Sequence, residues 1–345
     1  MDSLKKAGYP EERARTLSQK SNGNLNSLLR CLQSLSLLPD WSTGTEASEL
    51  AIAELLGAWR ETSEADKTIV EKLSGKGYGE WIGMMREVSL RPGTPLSHQD
   101  GSWKFALRYE GWYLLGPRIS DDLLERTKDM CALVLGERDP ALDLDPNERY
   151  LAAIHNKVLK HSRLLRKGLT ETLALIGSHP GALTYSISGK AEVIARTTVR
   201  DILKGADWKL WASLSDVLPL MAEAAPTDFL DCVDATLREN PSPFVDVFAQ
   251  EGRGITGSNY MTGLLWALET LAWSPELLTR VVVTLGELAV LDPGGNWANR
   301  PENSIVMILL PWYPQTAADI PTRKTALRTL FHEAAEIGWK VLLKL

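Results

Sequence analysis

The chain has 345 residues, 44% hydrophobic and 24% charged, the make-up of a chain that folds around a core and not of a disordered one. Its 38 Lys and Arg against 44 Asp and Glu give a net charge of −6 with no long basic run, so phosphate-driven nucleic-acid binding is disfavoured. Cys31, Cys131 and Cys232 are too few and too far apart for a disulfide framework or a thiolate metal cluster, which points to a reducing cytoplasm. The first twenty residues lack the apolar core of a secretory signal, and no apolar run reaches the roughly 18 residues of a membrane span, so no membrane contact is expected.

Helical spacing dominates from the start. Glu11 to Leu38 reads as two small helices, the second striped by Leu25, Leu28, Leu29, Leu32 and Leu35. Further helix starts are expected at Thr43 with Glu46, at Ser63 with Asp66, and at Ser120 before Asp121 and Asp122. Gly75, Gly77 and Gly79 fit the end of one helix and the start of the next. The one extended stretch lies at residues 95 to 107, where Asp100-Gly101 precedes Trp103, Phe105 and Leu107 in alternation. This predicts a short hairpin, with a loop leading into a helix at Arg108 to Leu115 as its alternative.

Later starts are expected at Pro146, Asp207, Thr227, Ser258 and Thr322, and most firmly at Ser242-Pro243 and Ser274-Pro275, where a capping residue precedes a proline. That makes roughly a dozen helices. From Asp207 onward the helices are separated by short turns, which implies antiparallel neighbours, and Leu264, Leu265, Leu268, Leu271 and Ala272 form a stripe facing a partner. The expected fold class is therefore all-α: an irregular HEAT/TPR-like array of antiparallel helix pairs with at most one short hairpin. No strict internal repeat aligns, so an irregular helical domain without true repeats stays open. Residues 1–40 form an N-terminal helical segment, 41–180 a first helical subdomain and 181–345 a second, which reads as continuing beyond the last residue.

Motifs for chemistry are weak. Gly252, Gly254 and Gly257 spell a GxGxxG, but Ser242-Pro243 upstream starts a helix better than a buried strand, and turn glycines are the better reading. His332, Glu333 and Glu336 lack the second His of a zincin, and His155 and His161 lie on different faces of a helix. Ser178-His179 sits in a helix-ending turn rather than a nucleophile elbow, and there is no phosphate-binding loop. Neither cofactor nor metal is expected. The twelve tryptophans, among them Trp208, Trp211, Trp266, Trp273, Trp297, Trp312 and Trp339, are read mostly as core; any on the surface would mark a partner site.

Two stretches carry a resemblance. GLLWALETLAW with LAVLDPGGNWANRPENSIVMILLPWYPQT, within residues 260 to 316, resembles the C-terminal helical, sensor-type region of bacterial STAND NTPases of the antiviral Avs group. LSQKSNGNLNSLLRCL resembles the helical stretch after the nucleotide-binding core of such proteins, which would make residues 1–40 the tail of an upstream NTPase module. The resemblance implies a larger protein with an effector and an NTPase, a phage protein as the sensed ligand, and homo-oligomers of the full-length protein. Neither NTPase nor effector activity would belong to this segment.

The functional expectation is a non-catalytic, cytoplasmic interaction module that binds a protein ligand; a structural scaffold and an enzyme with an unrecognised site are the alternatives. The expected partner surface is Asn296, Trp297, Asn299, Arg300 and Trp312, because the polar, glycine-containing DPGGNWANRPEN joins two helices and Trp and Arg are common anchors. The competing reading is that Asn299 and Arg300 tie this loop to helix ends while Trp297 fills a gap.

Overall fold

A computed structural model of the chain describes residues 2–21, 28, 32, 38–252, 258–295 and 297–345. Helix, 3-10 turns included, accounts for 66% of the described residues and strand for 3%. Among the described residues there are nineteen α-helices, more than the sequence suggests, because several are single or double turns. The chain divides into two compact units, residues 1–131 with 161–194 and residues 132–160 with 195–345.

In the first unit, α1 (Asp2–Lys6) and α2 (Glu11–Ser21) bury Leu4, Ala14 and Leu17, against which Tyr9, Leu28 and Leu32 pack. The rest of the Leu25–Leu35 stripe lies outside the described residues. A single turn, α3 (Asp40–Thr43), ends at the position expected to open a helix, and α4 (Ala47–Leu56) follows. Helix α4 is buried along almost its whole length, from Leu50 through Leu56, so it is the centre of the unit. Ser63 opens α5 (Glu64–Ser74) by accepting from the Asp66 amide, and Gly75 closes it in the left-handed conformation, as the sequence signals indicate. Next come α6 (Tyr78–Ser89), the strands β2 (Leu96–Gln99) and β3 (Ser102–Phe105), and α7 (Arg108–Leu115). Both readings of residues 95 to 115 are realised in sequence, a hairpin and then a helix. Asp100 and Gly101 turn the hairpin with φ of 50° and 69°.

The hairpin gains a third strand that the sequence did not announce, β1 (Ala58–Arg60), giving the antiparallel order β1-β3-β2 with Trp59 opposite Trp103 and Trp103 opposite His98. The register puts aromatic rings face to face: Trp59 and Trp103 stack at 5.7 Å, His98 lies on Trp103 at 4.2 Å, and Trp81 tilts against Trp59 at 5.4 Å. Helix α8 (Asp121–Leu135) begins in this unit, and α9 (Arg163–Ser178) packs on β1. That approach requires glycine: a Cβ on Gly168 would stand 2.2 Å from the Leu56 carbonyl oxygen, and Gly57 faces it with φ of 68°. Asp66, fully buried, accepts from the amides of Arg60 and Ser162, each at 2.9 Å, and so joins β1 to the start of α9.

Helix α10 (Lys190–Leu203) leads into the second unit, built on α11 (Trp208–Ser213), α12 (Leu218–Ala224), α13 (Pro226–Leu237), α14 (Pro243–Ala249), α15 (Met261–Leu271), α16 (Pro275–Leu291), α17 (Pro301–Leu309), α18 (Ile320–Glu333) and α19 (Ala335–Lys344). Asp207 and Ser242 cap their helices with side-chain oxygens, whereas Ser274 relies on Pro275 at the first helical position alone. No α-helix starts at Pro146, where the chain makes only a short 3-10 turn at Arg149–Leu151. Helix α16 is the axis, with Leu278, Val281, Val282, Leu285 and Leu288 buried and α13, α15, α17, α18 and α19 packed around it. The broadest contacts, α16 with α18 and α12 with α15, skip one and two helices respectively, which makes the array irregular. Leu264, Leu268 and Leu271 lie in the core, as their spacing indicates. No helix among the described residues is long and apolar enough to cross a membrane.

Candidate protein-interaction face

The tryptophans divide by unit in a way their number does not foretell. Trp41, Trp59, Trp81, Trp103 and Trp112 are all buried in the first unit. Of the seven singled out in the second unit only Trp211 is buried; Trp208 and Trp297 are intermediate, and Trp266, Trp273, Trp312 and Trp339 are exposed. The expectation that most of them serve the core is therefore corrected: on α15 the stripe of Leu264, Leu265, Leu268 and Leu271 already fills the inner face and leaves Trp266 on the outer one.

Three of the exposed tryptophans lie on α15, its C-terminal extension and the segment bonded to its end. Positions 262, 266, 269 and 273 lie on one stripe of α15 and its C-terminal extension, by helical spacing. Thr262 at one end accepts from Asn299 Nδ2 at 3.3 Å, and Glu269 accepts from the Ser304 hydroxyl at 2.6 Å. These two bonds place the stripe along α17, with Trp266 between them. Trp273 closes the row: its carbonyl accepts from the Ala317 amide at 3.2 Å, and the preceding carbonyl, of Ala272, accepts from the Thr316 hydroxyl at 2.6 Å. Residues 310–317 thereby fold back over the end of α15, while the Gln315 amide donates to the Met307 carbonyl. Exposed side chains thus lie on α15, on α17 and on the segment folded over the end of α15: Trp266 and Trp273 are each 54% exposed, Met307 43%, Trp312 74% and Tyr313 72%.

The two stretches themselves carry little charge, and the charged groups next to them come from other helices: Lys344 reaches Asn303 at 3.4 Å and Arg323 donates to the Leu310 carbonyl at 3.3 Å. Residues 303–318 contain no Asp, Glu, Lys or Arg, and residues 254–275 contain only Glu269, whose carboxylate is engaged by Ser304. Exposed large rings are enriched where proteins meet, and Trp and Tyr are among the side chains that most often anchor protein partners.

The expected surface of Asn296, Trp297, Asn299, Arg300 and Trp312 is split by the structure. Asn296 lies outside the described residues. Arg300 is 7% exposed, and its guanidinium meets Glu251 at 2.5 Å and 2.7 Å and Asp292 at 2.9 Å, while Nε donates to the Trp297 carbonyl at 3.3 Å. As a surface anchor it is corrected: the guanidinium is buried and turned inward onto Glu251, Asp292 and the Trp297 carbonyl. Gly295, at φ of 153°, lets the loop pass this guanidinium, since a Cβ there would stand 2.1 Å from Nη2. Asn299 is exposed but ties the loop to α15 through Thr262, and its carbonyl accepts from Asn259 Nδ2 at 3.5 Å. Trp297 is half-buried. Trp312 alone stands free, at the other end of α17, a nine-residue helix about 14 Å long. The other large exposed side chains of these elements are Trp266, Trp273, Met307 and Tyr313. The run of sixteen uncharged residues from Asn303 to Ala318 is the signal that marks them in the sequence.

Clusters with chemical potential are otherwise committed to structure. Glu54 is fully buried beneath Arg108, whose Nη1 lies 3.1 Å from Oε1, yet neither carboxylate oxygen accepts a well-formed hydrogen bond. Desolvation pushes its carboxyl up to about 8, with Arg108 opposing and Glu171 reinforcing the rise. Burial raises the thiols of Cys131 to about 12 and Cys232 to about 11, so neither is a nucleophile near neutral pH. Cys232 lines a cavity of about 230 Å³ in the second unit with Lys204, Asp228 and Glu239, where the Asp228 carboxylate is already held by Arg196 at 2.7 Å. Ser178 Oγ lies 2.8 Å from His179 Nδ1 but donates to the Ala174 carbonyl within its own helix. His332 and Glu333 form an exposed pair at 3.0 Å. Gly252 is described, whereas Gly254 and Gly257 lie outside the described residues. Among the described residues no group of three or more His, Cys, Asp or Glu is placed to hold a metal ion.

Comparisons with family models, with curated proteins and with solved structures find no match to this chain.

Proposed function

We propose that this chain is a non-catalytic helical interaction module, and that the exposed side chains of α15, α17 and residues 310–317 bind a protein ligand. The observation that carries this reading is the exposure of Trp266, Trp273, Trp312 and Tyr313 on α15 and on the segment bonded to its end. Rings of this size left in water on a well-packed unit have no role in its core, and they are the groups that supply most binding energy where proteins meet. Large exposed rings with little charge in their own stretches favour a ligand whose central contacts are apolar, with Lys344 and Arg323 at the rim.

The resemblance to the sensor-type region of antiviral STAND NTPases supplies the setting: a cytoplasmic arm of a larger protein, with a phage protein as the ligand. The test is to immobilise the purified chain and measure binding of phage proteins one at a time, with the Trp266→Ser/Trp312→Ser variant as control. At least one phage protein should bind the native chain and lose about tenfold or more in affinity to the variant, with the melting temperature unchanged. Binding that ignores both substitutions would remove the face from the mechanism, and binding of no phage protein would remove the antiviral setting.

A further inference from the structure

We propose that the cavity between the end of α10 and one face of α13 binds a small apolar zwitterion, of the α-amino acid class. The cavity has a volume of about 230 Å³ and lies within the second unit.

Helical spacing builds it. Arg200 and Lys204 stand one turn apart at the end of α10, where Gly205 takes the chain away with φ of 65°. Asp228, Asp231, Cys232, Ala235, Thr236 and Glu239 recur at helical intervals, so α13 and the turn after it give one face to the cavity. Leu203, Cys232 and Ala235 form its apolar wall. Burial raises the Cys232 thiol to about 11, so this wall carries no charge near neutral pH. Lys204, Gly205, Asp231 and Glu239 are exposed, which opens the cavity to solvent.

The charges around the wall are unequally engaged. Asp228 is held by Arg196 at 2.7 Å and Arg200 at 3.6 Å, and Asp231 by Arg280 at 2.7 Å. Among the described residues Lys204 and Glu239 form no ion pair, either with each other or with a third group, although both line the cavity. The Thr236 hydroxyl, on a residue only 2% exposed, donates no hydrogen bond among the described residues. One ammonium, one carboxylate and one hydroxyl thus surround an apolar wall with their bonding capacity unspent. A carboxylate on the ligand answers Lys204 and an ammonium answers Glu239, while an aliphatic body covers Leu203, Cys232 and Ala235. A simple anion would leave Glu239 unanswered beside it, and a simple cation would do the same to Lys204, so a molecule with both signs is the better complement. The volume equals that of about eight waters at roughly 30 Å³ each, smaller than a drug-sized pocket and close to the heavy-atom count of valine, leucine or methionine.

Isothermal titration calorimetry of the whole chain with alanine, valine, leucine and methionine, each to about 10 mM, tests this. At least one should bind at a single site, and its analogues lacking the amine or the carboxylate should bind about tenfold more weakly or worse. The bound amino acid should slow iodoacetamide labelling of Cys232, read by mass spectrometry, which places it in this cavity. Lys204→Gln and Glu239→Gln should each weaken binding about tenfold with an unchanged melting curve, and Lys204→Arg, which keeps the charge, should retain most of the affinity. Binding of none of the four would overturn the proposal. So would binding that both Gln variants leave intact, that leaves Cys232 labelling unchanged, or that the amine-free or carboxylate-free analogue matches.

Discussion

Arg300 offers the sharpest separation of a structural residue from a recognition residue. Replacing it with Leu removes the cation from between Glu251 and Asp292, whose side chains are only 16% and 11% exposed. Two carboxylates are then left half out of water without a counter-charge, a situation that costs about 3 to 5 kcal/mol when a buried pair is broken. The second unit holds about 180 residues, for which each kcal/mol moves the midpoint by about 2 to 4 °C, so the variant should melt roughly 10 °C lower. Arg138, which pairs with Asp207 at 2.9 Å with both side chains about half exposed, is the internal control; its replacement by Ala should cost less than about 1 kcal/mol. Arg300→Lys should recover only part of the loss, because an ammonium cannot reach Glu251, Asp292 and the Trp297 carbonyl together. Differential scanning calorimetry of the three variants decides it. An Arg300→Leu chain as stable as the native one would show that the guanidinium is not buried in this network and would return it to the list of surface anchors.

In the core of the same unit, Leu268→Ala removes a fully buried side chain and should cost about 2 to 5 kcal/mol by urea denaturation; a loss near zero would place α15 at the surface. In the first unit, Glu54 ties stability to pH. Its carboxyl is raised from 4.5 in the open chain to about 8 when folded, so between these values the native state holds a proton that the unfolded state releases. Stability should therefore fall as pH rises from about 5 to about 8, by up to roughly 1.4 kcal/mol per pH unit from this group, and Glu54→Gln should flatten the slope. A slope that Glu54→Gln leaves unchanged would assign the pH dependence to other groups.

What the sequence discloses here follows the range of the interactions involved. Helix starts at Ser63, Asp207 and Ser242 are legible because a cap is settled within three residues. The hairpin is legible because Asp100-Gly101 suits a turn with two positive φ angles. Strand β1 is not, since three residues after a long apolar helix carry no period, and they pair with partners more than forty positions away. Arg300 in its loop reads equally well as anchor or as tie, and only the approach of Glu251, 49 positions earlier, decides between them. Trp266 and Trp273 are hidden for a different reason: a tryptophan among the leucines of an apolar helix reads as core even where it lies off the buried stripe. The absence of charge between Glu302 and Asp319 was available in the sequence, and its meaning depends on the exposure that the fold gives to Trp312 and Tyr313.

The account stands on an aromatic face that is open in the free chain and closed in its complexes. Photo-oxidation footprinting, read residue by residue by mass spectrometry, measures the open state directly on the dilute native chain. Trp266, Trp273 and Trp312 should oxidise many times faster than the buried Trp103 and Trp211. If they are as slow as Trp103 and Trp211 in the dilute chain, the face is not open and the account is contradicted.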